Sequence, residues 1–303
     1  MDSLDNLPFA RPGRWYRGNL HTHSTASDGR KTPADVCAFY RARGYDFISL
    51  TDHFVENYQF PITDTKPYRD DGFTTILGAE LHAPATSLGE DWHILAVGLP
   101  GDFAPTGAEE TGAQLAARAK AAGAYVAAAH PAWYDITDQD VLSIPAAGAI
   151  EIVNTTCAVA NGKGDSTGYI DRLLSQGHYY QIIATDDAHF HRPDWCCNWV
   201  MVRSESLDPA SLLAALHAGH FYASQGPEIL EVTPLAGGAK LAVRTSPVRG
   251  MRLTGRGAGA AVVTEDADFT TAELSLEGVN GPYARLTVTD RDGLRAWTNP
   301  IRR

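Results

Sequence analysis

Around Gly18-Asn19-Leu20-His21-Thr22-His23-Ser24-Thr25-Ala26-Ser27-Asp28 (residues 18–28) the rest of the chain is organised. A short apolar run following Trp15 and Tyr16 ends abruptly in His21-x-His23, and on a β-strand that spacing sends both imidazoles to one face. Two nitrogen ligands on one rigid strand suit a metal ion. Asp28 follows in a Ser-Asp-Gly turn that can fold a third donor back beside them. Alone, a His-x-His pair is more often a surface or core histidine than a ligand, so the decision rests on where the other His, Asp and Glu residues fall.

They fall at strand ends. Downstream, Thr32 and Pro33 occupy the N-cap and first helical positions of a helix carrying Val36, Phe39 and Tyr40 at helical spacing and closed by Gly44. The apolar strand 45–50 then stops at Thr51-Asp52-His53, strand 74–78 runs into Ala79-Glu80, and strand 92–97 has His93 at its start. An alanine-rich helix, 111–122, feeds strand 124–129, which stops at His130-Pro131; strand 149–153 ends at Asn154. A helix from about Tyr169 to Gln176 leads into strand 180–184 and then Thr185-Asp186-Asp187-Ala188-His189, and a last helix spans roughly Ala210 to Ala218. Continuously apolar strands alternating with helices predict an α/β fold whose sheet is covered on both sides or closed into a barrel. In such barrels the C-terminal strand ends share one rim and build the active site. Histidines with only a structural role have no reason to collect there.

From about Glu231 the pattern changes to short alternating runs, such as 241–244, 261–264, 273–276 and 285–289, separated by turns of which Asp292-Gly293 is the clearest hairpin signal. The expected organisation is a larger domain at 1–232 and a small all-β, sandwich-like accessory domain at 233–303, packed on the first because so short a chain supports only a marginal core.

At 303 residues, 44% apolar and 20% charged, the composition is that of an ordinary globular protein. A net charge of −11 repels long nucleic acid and anionic membrane, so a polyanionic partner needs a local positive site. Cys37, Cys157, Cys196 and Cys197 show no CxxC spacing and read as reduced thiols; with no signal peptide or long apolar segment, the expected compartment is the cytoplasm. No Gly-rich phosphate loop or Gly-x-Ser-x-Gly elbow occurs, which argues against nucleotide-dependent phosphotransfer and serine hydrolysis.

In order, His21, His23, Asp28, His53, Glu80, His93, His130, Asp187 and His189 form a recognisable set: His-x-His with a Ser-Asp-Gly turn, Thr-Asp-His, Gly-x-Glu, His-Pro and a closing Asp-x-His. Over roughly residues 14–230 the chain resembles the PHP (polymerase and histidinol phosphatase) family of metal-dependent phosphoesterases. The resemblance implies a distorted (β/α)7 barrel with three metals at its C-terminal rim. Carried over by motif, His21, His23, Glu80 and Asp187 would hold the first metal, with Glu80 bridging to the second, which would also take His93 and His130. Asp28, His53 and His189 would hold the third. His82 lies close enough to His93 to compete for that position.

Six imidazoles and three carboxylates without a thiolate suit Zn²⁺, Mn²⁺ or Fe²⁺. Three divalent ions would bring a charge of about +6 against about −3 from the carboxylates, a site that favours a substrate with several anionic oxygens. The expected activity is therefore hydrolysis of a small phosphomonoester, cyclic phosphate or phosphodiester by a metal-bridging hydroxide, with Glu80, Asp187 and His189 in the catalytic centre. Two rivals remain: an amidohydrolase or carboxyl-ester hydrolase using the same metals, and a non-catalytic metal-binding module. Arg30, Trp133, Tyr134, His191 and Arg192 adjoin the metal motifs and are candidates for binding substrate, with Lys31 beside them. Asp52 and Asp186 are candidates for orienting histidines from behind. His178, His217 and His220, near helix ends, read as structural.

Overall fold

The computed structural model describes Leu4 and residues 7–303. In chain order the elements are β1 (Arg14–Asn19), α1 (Pro33–Arg41), β2 (Phe47–Leu50), β3 (His53–Phe54), β4 (Thr74–Ala83), β5 (Trp92–Val97), α2 (Gly112–Ala121), β6 (Tyr125–Ala128), α3 (Asp138–Ser143) and β7 (Ala149–Asn154). There follow α4 (Thr155–Asn161), α5 (Thr167–Ser175), β8 (Gln181–Thr185), β9 (Trp199–Ser204), α6 (Pro209–His217) and β10 (Phe221–Ser224). The chain closes with β11 (Ile229–Leu235), β12 (Lys240–Thr254), β13 (Ala260–Ser275), β14 (Tyr283–Thr289), β15 (Arg295–Thr298) and β16 (Ile301–Arg302).

Local chemistry accounts for the helix starts. Thr32 accepts from the Asp35 N–H ahead of Pro33 in α1, and Thr111 with Gln114 and Thr137 with Asp140 form reciprocal capping boxes at α2 and α3. The strands β2, β6 and β7 are buried at every position, as expected of strands covered on both faces.

The fold is mixed α/β, dominated by one large sheet with few helices. Its strand order is β11-β12-β14-β15-β10-β9-β1-β2-β4-β5-β6-β7-β8. β1, β2 and β4 pair in parallel, as do β6, β7 and β8, whereas β5 runs antiparallel to both β4 and β6, and β9 runs antiparallel to β1. Among the described residues, no ladder joins β8 to β1; a single parallel bridge between Thr22 and Ala188 spans that gap. Register places Glu80 opposite Leu95 and His82 opposite His93 across β4 and β5.

Among the described residues four apolar clusters organise the packing, one of them running through Leu20, Phe47, Leu95, Ile183 and Val200 on and beside the histidine-bearing strands. The largest joins β4–β8 to α2 and α5 through residues such as Leu81, Ile94, Leu115, Ile150 and Leu173. Another lies mainly within β11–β16 around Leu241, Met251, Leu253, Leu286 and Val288, and takes in Leu7 and Tyr222 of β10. The expected boundary after residue 232 falls inside β11, and the sheet continues across it: β15 pairs with β10, with Tyr222 opposite Thr298. At this seam the nearly fully buried Arg285 makes a bidentate pair with Asp171 of α5, and the Asn299 side chain accepts from Ile182 N–H of β8.

Candidate metal centre

His21 and His23 follow the end of β1 and are fully buried, with ring centroids 5.2 Å apart. Between them Thr22 turns away and donates its hydroxyl to Ala188 O, so alternation along the extended chain leaves the two rings on one side. β2 delivers Thr51-Asp52-His53, β4 carries Glu80, β5 carries His93, β6 leads to His130, and β8 leads to Asp187 and His189. His130 (φ 26°) and Asp187 (φ 55°) both lie in the left-handed region. Such backbone is costly for non-glycine residues and concentrates at functional sites.

The donors meet at three carboxylates. Asp187 Oδ1 lies 2.9 Å from His23 Nε2 and 3.1 Å from His21 Nε2, while Glu80 Oε1 lies 3.4 Å from His21 Nε2 and Oε2 lies 3.6 Å from His23 Nε2. On the other side of Glu80, Oε1 is 2.8 Å from His93 Nδ1 and 3.1 Å from His130 Nε2. Asp28 Oδ1 lies 3.5 Å from His53 Nε2 and 3.4 Å from His189 Nε2. Two ligands of one cation with bonds of about 2.1 Å sit roughly 3–3.5 Å apart, so these spacings suit metal ligation. Four overlapping donor groups result: His21, His23 and Asp187; His21, Glu80 and His130; His23, Asp28, His53 and His189; and His53, Glu80, His82 and His93. All nine expected ligands are members. His21 Nε2 is buried without a hydrogen-bond partner, the state of a ligand atom whose partner is an ion, while Glu80 Oε2 lies 2.6 Å from His53 Nδ1.

His82 is the tenth member. Its Nε2 lies 2.9 Å from His53 Nδ1 and its ring 4.1 Å from that of His93. The signal for it was Glu80-x-His82, the same two-residue alternation as His21-x-His23. The tautomers of two rings are fixed from behind: His189 Nδ1 donates to Asp187 O at 2.7 Å, and His21 Nδ1 lies 2.8 Å from Glu151 Oε1. On the outer side, the Tyr134 hydroxyl is 3.0 Å from His93 Nε2.

The electrostatics follow from packing so many titratable groups together. Burial works against charge on His53, but Glu80 and Asp28 beside it push it up to about 10. Burial also works against charge on His21, and Asp187, Glu151 and Glu80 overcome it, holding the ring well above its usual value. His93 goes the other way, held down at about 3 by burial that Glu80 offsets only in part. His23 is pushed well down by burial and by its neighbours His189 and His53. Burial raises the carboxylates Asp28, Glu80 and Asp187, yet the surrounding imidazoles hold all three well below the usual range. The metal-free centre therefore keeps its carboxylates ionised while several imidazoles hold protons that a cation would displace.

Asp52 and Asp186 do something other than orient imidazoles. Asp52 accepts from Ser24 N–H and from the hydroxyls of Ser24, Ser27 and Thr63, fixing the loop that carries Asp28. Asp186 accepts from the N–H groups of Cys196, Cys197 and Asn198 and from the Tyr40 hydroxyl, shaping the chain after His189. His217 lies against Gly123 O at a helix end.

Beside the metal groups opens a cavity of about 490 Å³, and Arg30, Trp133, Tyr134, His191 and Arg192 all line it, together with His53, His93, His130, Asp187 and His189. Arg30 Nε donates to His191 Nδ1 at 2.7 Å, and His191 Nε2 donates to Asp28 O at 2.7 Å, so the guanidinium is held at the cleft wall by the loop that bears a ligand. Lys31 instead lies over the rings of Phe39 and Phe190, outside the cleft lining.

No family profile and no curated protein matches the chain in sequence. Among solved structures it is similar to a two-domain protein containing a predicted PHP-like metal-dependent phosphoesterase from Bacteroides vulgatus, with TM-score 0.56 and 18% identity over 97% of this chain and 98% of that one. It is also similar to a putative metal-dependent phosphoesterase from Bifidobacterium adolescentis (TM-score 0.47, 15% identity, 66% of this chain and 96% of that one). A third is an amidohydrolase from Chromobacterium violaceum with bound sulfate and no metal (TM-score 0.43, 14% identity, 57% and 87%). Along nearly its whole length, the chain has the fold of the two-domain PHP-like protein from Bacteroides vulgatus.

Proposed function

We propose that this protein is a metal-dependent hydrolase of small phosphate esters, acting on a phosphomonoester, cyclic phosphate or phosphodiester at a centre of three divalent metals, Zn²⁺, Mn²⁺ or Fe²⁺. The observation that carries this reading is the convergence of nine sequence-distant His, Asp and Glu residues into overlapping donor groups beside one cavity. His21, His23, Glu80 and Asp187 would hold the first metal, Glu80, His93 and His130 the second, and Asp28, His53 and His189 the third. Metals bound there would supply Lewis acidity and an ionised water at neutral pH.

The chain's own residues supply the rest. Arg30 and Arg192 line the cavity and give a phosphate ester cationic hydrogen-bond donors, while Trp133 and Tyr134 offer an apolar wall to its organic part. Tyr134 also fixes His93 through its hydroxyl. In this reading residues 1–232 carry the chemistry and 233–303 form an accessory sheet. Four cysteines without a disulfide support action in a reducing compartment, the cytoplasm. Among the described residues no helix is long and apolar enough to cross a membrane.

The test is a substrate panel with the metal-loaded protein: aryl phosphate, bis-aryl phosphate, cyclic phosphate, aryl ester and aryl amide. Turnover of one of the phosphate esters, abolished by chelation and restored by Mn²⁺, Zn²⁺ or Fe²⁺, is the expected result. Metal-dependent turnover confined to the ester or amide would replace this reading with the amidohydrolase one.

A further inference from the structure

Glu151 lies in the middle of β7, a strand whose six residues are all buried, and is itself fully buried. An ionised carboxylate in such a place is costly unless its oxygens are filled by donors. Four donors fill them. Oε1 accepts from the Thr185 hydroxyl at 2.5 Å and from His21 Nδ1 at 2.8 Å; Oε2 accepts from His130 N–H at 2.7 Å and from Asn154 Nδ2 at 3.0 Å.

Two of these donors belong to residues of the metal groups, His21 and His130, which share one donor group with Glu80 and which the proposed assignment gives to the first and second metals. By taking the Nδ1 proton of His21 in a hydrogen bond, Glu151 leaves Nε2 as the ligand atom, and Nε2 is the atom that faces Asp187 and Glu80 with no hydrogen-bond partner of its own. By holding the His130 N–H, it pins a peptide at φ 26°, from which the ring reaches Glu80 Oε1. Asn154 extends the connection, since the same Nδ2 lies 3.1 Å from Asp187 Oδ2.

We infer that Glu151 is a positioning residue shared by two metal sites, setting the tautomer of His21 and the backbone of His130 without itself touching a metal. The inference rests on the metal-centre reading above. Carboxylates that orient ligating histidines in this way commonly alter metal affinity about 10–100-fold when removed.

The experiment compares full-length wild type, Glu151→Gln and Thr185→Val after equilibration with Zn²⁺ or Co²⁺ against a graded chelator. Glu151→Gln keeps the shape but replaces one accepting oxygen with an amide nitrogen. It is expected to lose two metals at roughly 10–100-fold lower chelator while keeping the one held by Asp28, His53 and His189, and to change the Co²⁺ absorption spectrum. Thr185→Val removes one donor and leaves the carboxylate, so its metal retention should stay near wild type. A folded Glu151→Gln with wild-type retention and spectrum overturns the inference, as does equal loss in Thr185→Val. If Glu151→Gln does not fold, histidine ¹⁵N NMR of the Zn²⁺-loaded wild type decides: His21 must carry its proton on Nδ1, and a metal-bound Nδ1 sinks the inference. A wild type that retains no metal would instead defeat the metal-centre reading itself.

Discussion

The strand tips that carry the histidines and the sheet formed by β11–β16 bury very different things. At the tips His21, His23 and Glu80 are fully buried, and Asp187 and His130 nearly so, with charges that only one another or an ion can satisfy. In the C-terminal sheet the buried groups are Leu253, Leu286, Val288 and their like, and the principal buried charge, Arg285, already has its partner in Asp171. One region stores unmet electrostatic demand and the other stores packing. Substitutions should therefore separate into those that cost metal and activity and those that cost stability alone.

The largest expected effect is at Glu80. Replacing it with Gln removes the charge that would hold two cations close together, so both neighbouring metals should weaken and activity should fall by several orders of magnitude. His53→Ala should cost mainly the third metal and less activity. Metal content beside kcat for both variants checks this; loss of two metals in His53→Ala and one or none in Glu80→Gln would break the assignment of Glu80 as the bridge.

Next comes Leu253→Ala in the C-terminal sheet, which should cost about 2–5 kcal/mol by denaturant unfolding while leaving metal content unchanged. Loss of metal in a folded Leu253→Ala protein would erase the contrast between the two regions.

The third prediction concerns protons. His53 sits at about 10 in the metal-free protein, above its ordinary value, so near pH 8 it is protonated and must give that proton up to bind a cation. Adding Zn²⁺ to metal-free protein in weak buffer should release protons, and apparent affinity should rise as pH climbs toward 10. In the metal-free protein the same shift stabilises the fold fully below about pH 6.5 and is lost as pH rises through about 10, which unfolding midpoints at the two extremes would reveal. Proton uptake on loading would contradict it.

The smallest effect is expected at the cleft wall. Arg192→Ala should raise KM several-fold for a phosphate ester with little change in kcat, because a wall cation binds ground state and transition state alike. A fall in kcat with KM unchanged would move Arg192 into the reacting centre.

How much of this was visible beforehand follows from which signals are local. His-x-His, Thr-Asp-His and Asp-x-His announce themselves because strand alternation is a property of adjacent residues, and Thr32-Pro33 announces α1 because capping is too. The antiparallel placement of β5 was hidden, since an apolar run such as 92–97 reads the same in either direction. Glu151 was hidden because it has no motif: a lone carboxylate within Ala-Ile-Glu-Ile-Val-Asn acquires meaning only once His21, His130 and Thr185 are brought from three other segments to join Asn154 of its own strand. The strands β9 and β10 are no shorter than β5 and β6, but no ligand stands at their tips to mark them.

The seam between β10 and β15 bears on how the chain comes apart. Backbone hydrogen bonds, the Arg285–Asp171 pair and the Asn299 side chain all cross it, so the edge of β10 has no stable neighbour if the last strands detach. Fraying of the C-terminal sheet and melting of the histidine-bearing sheet are thereby coupled into one cooperative event, and calorimetry of the intact chain should trace a single heat-absorption peak.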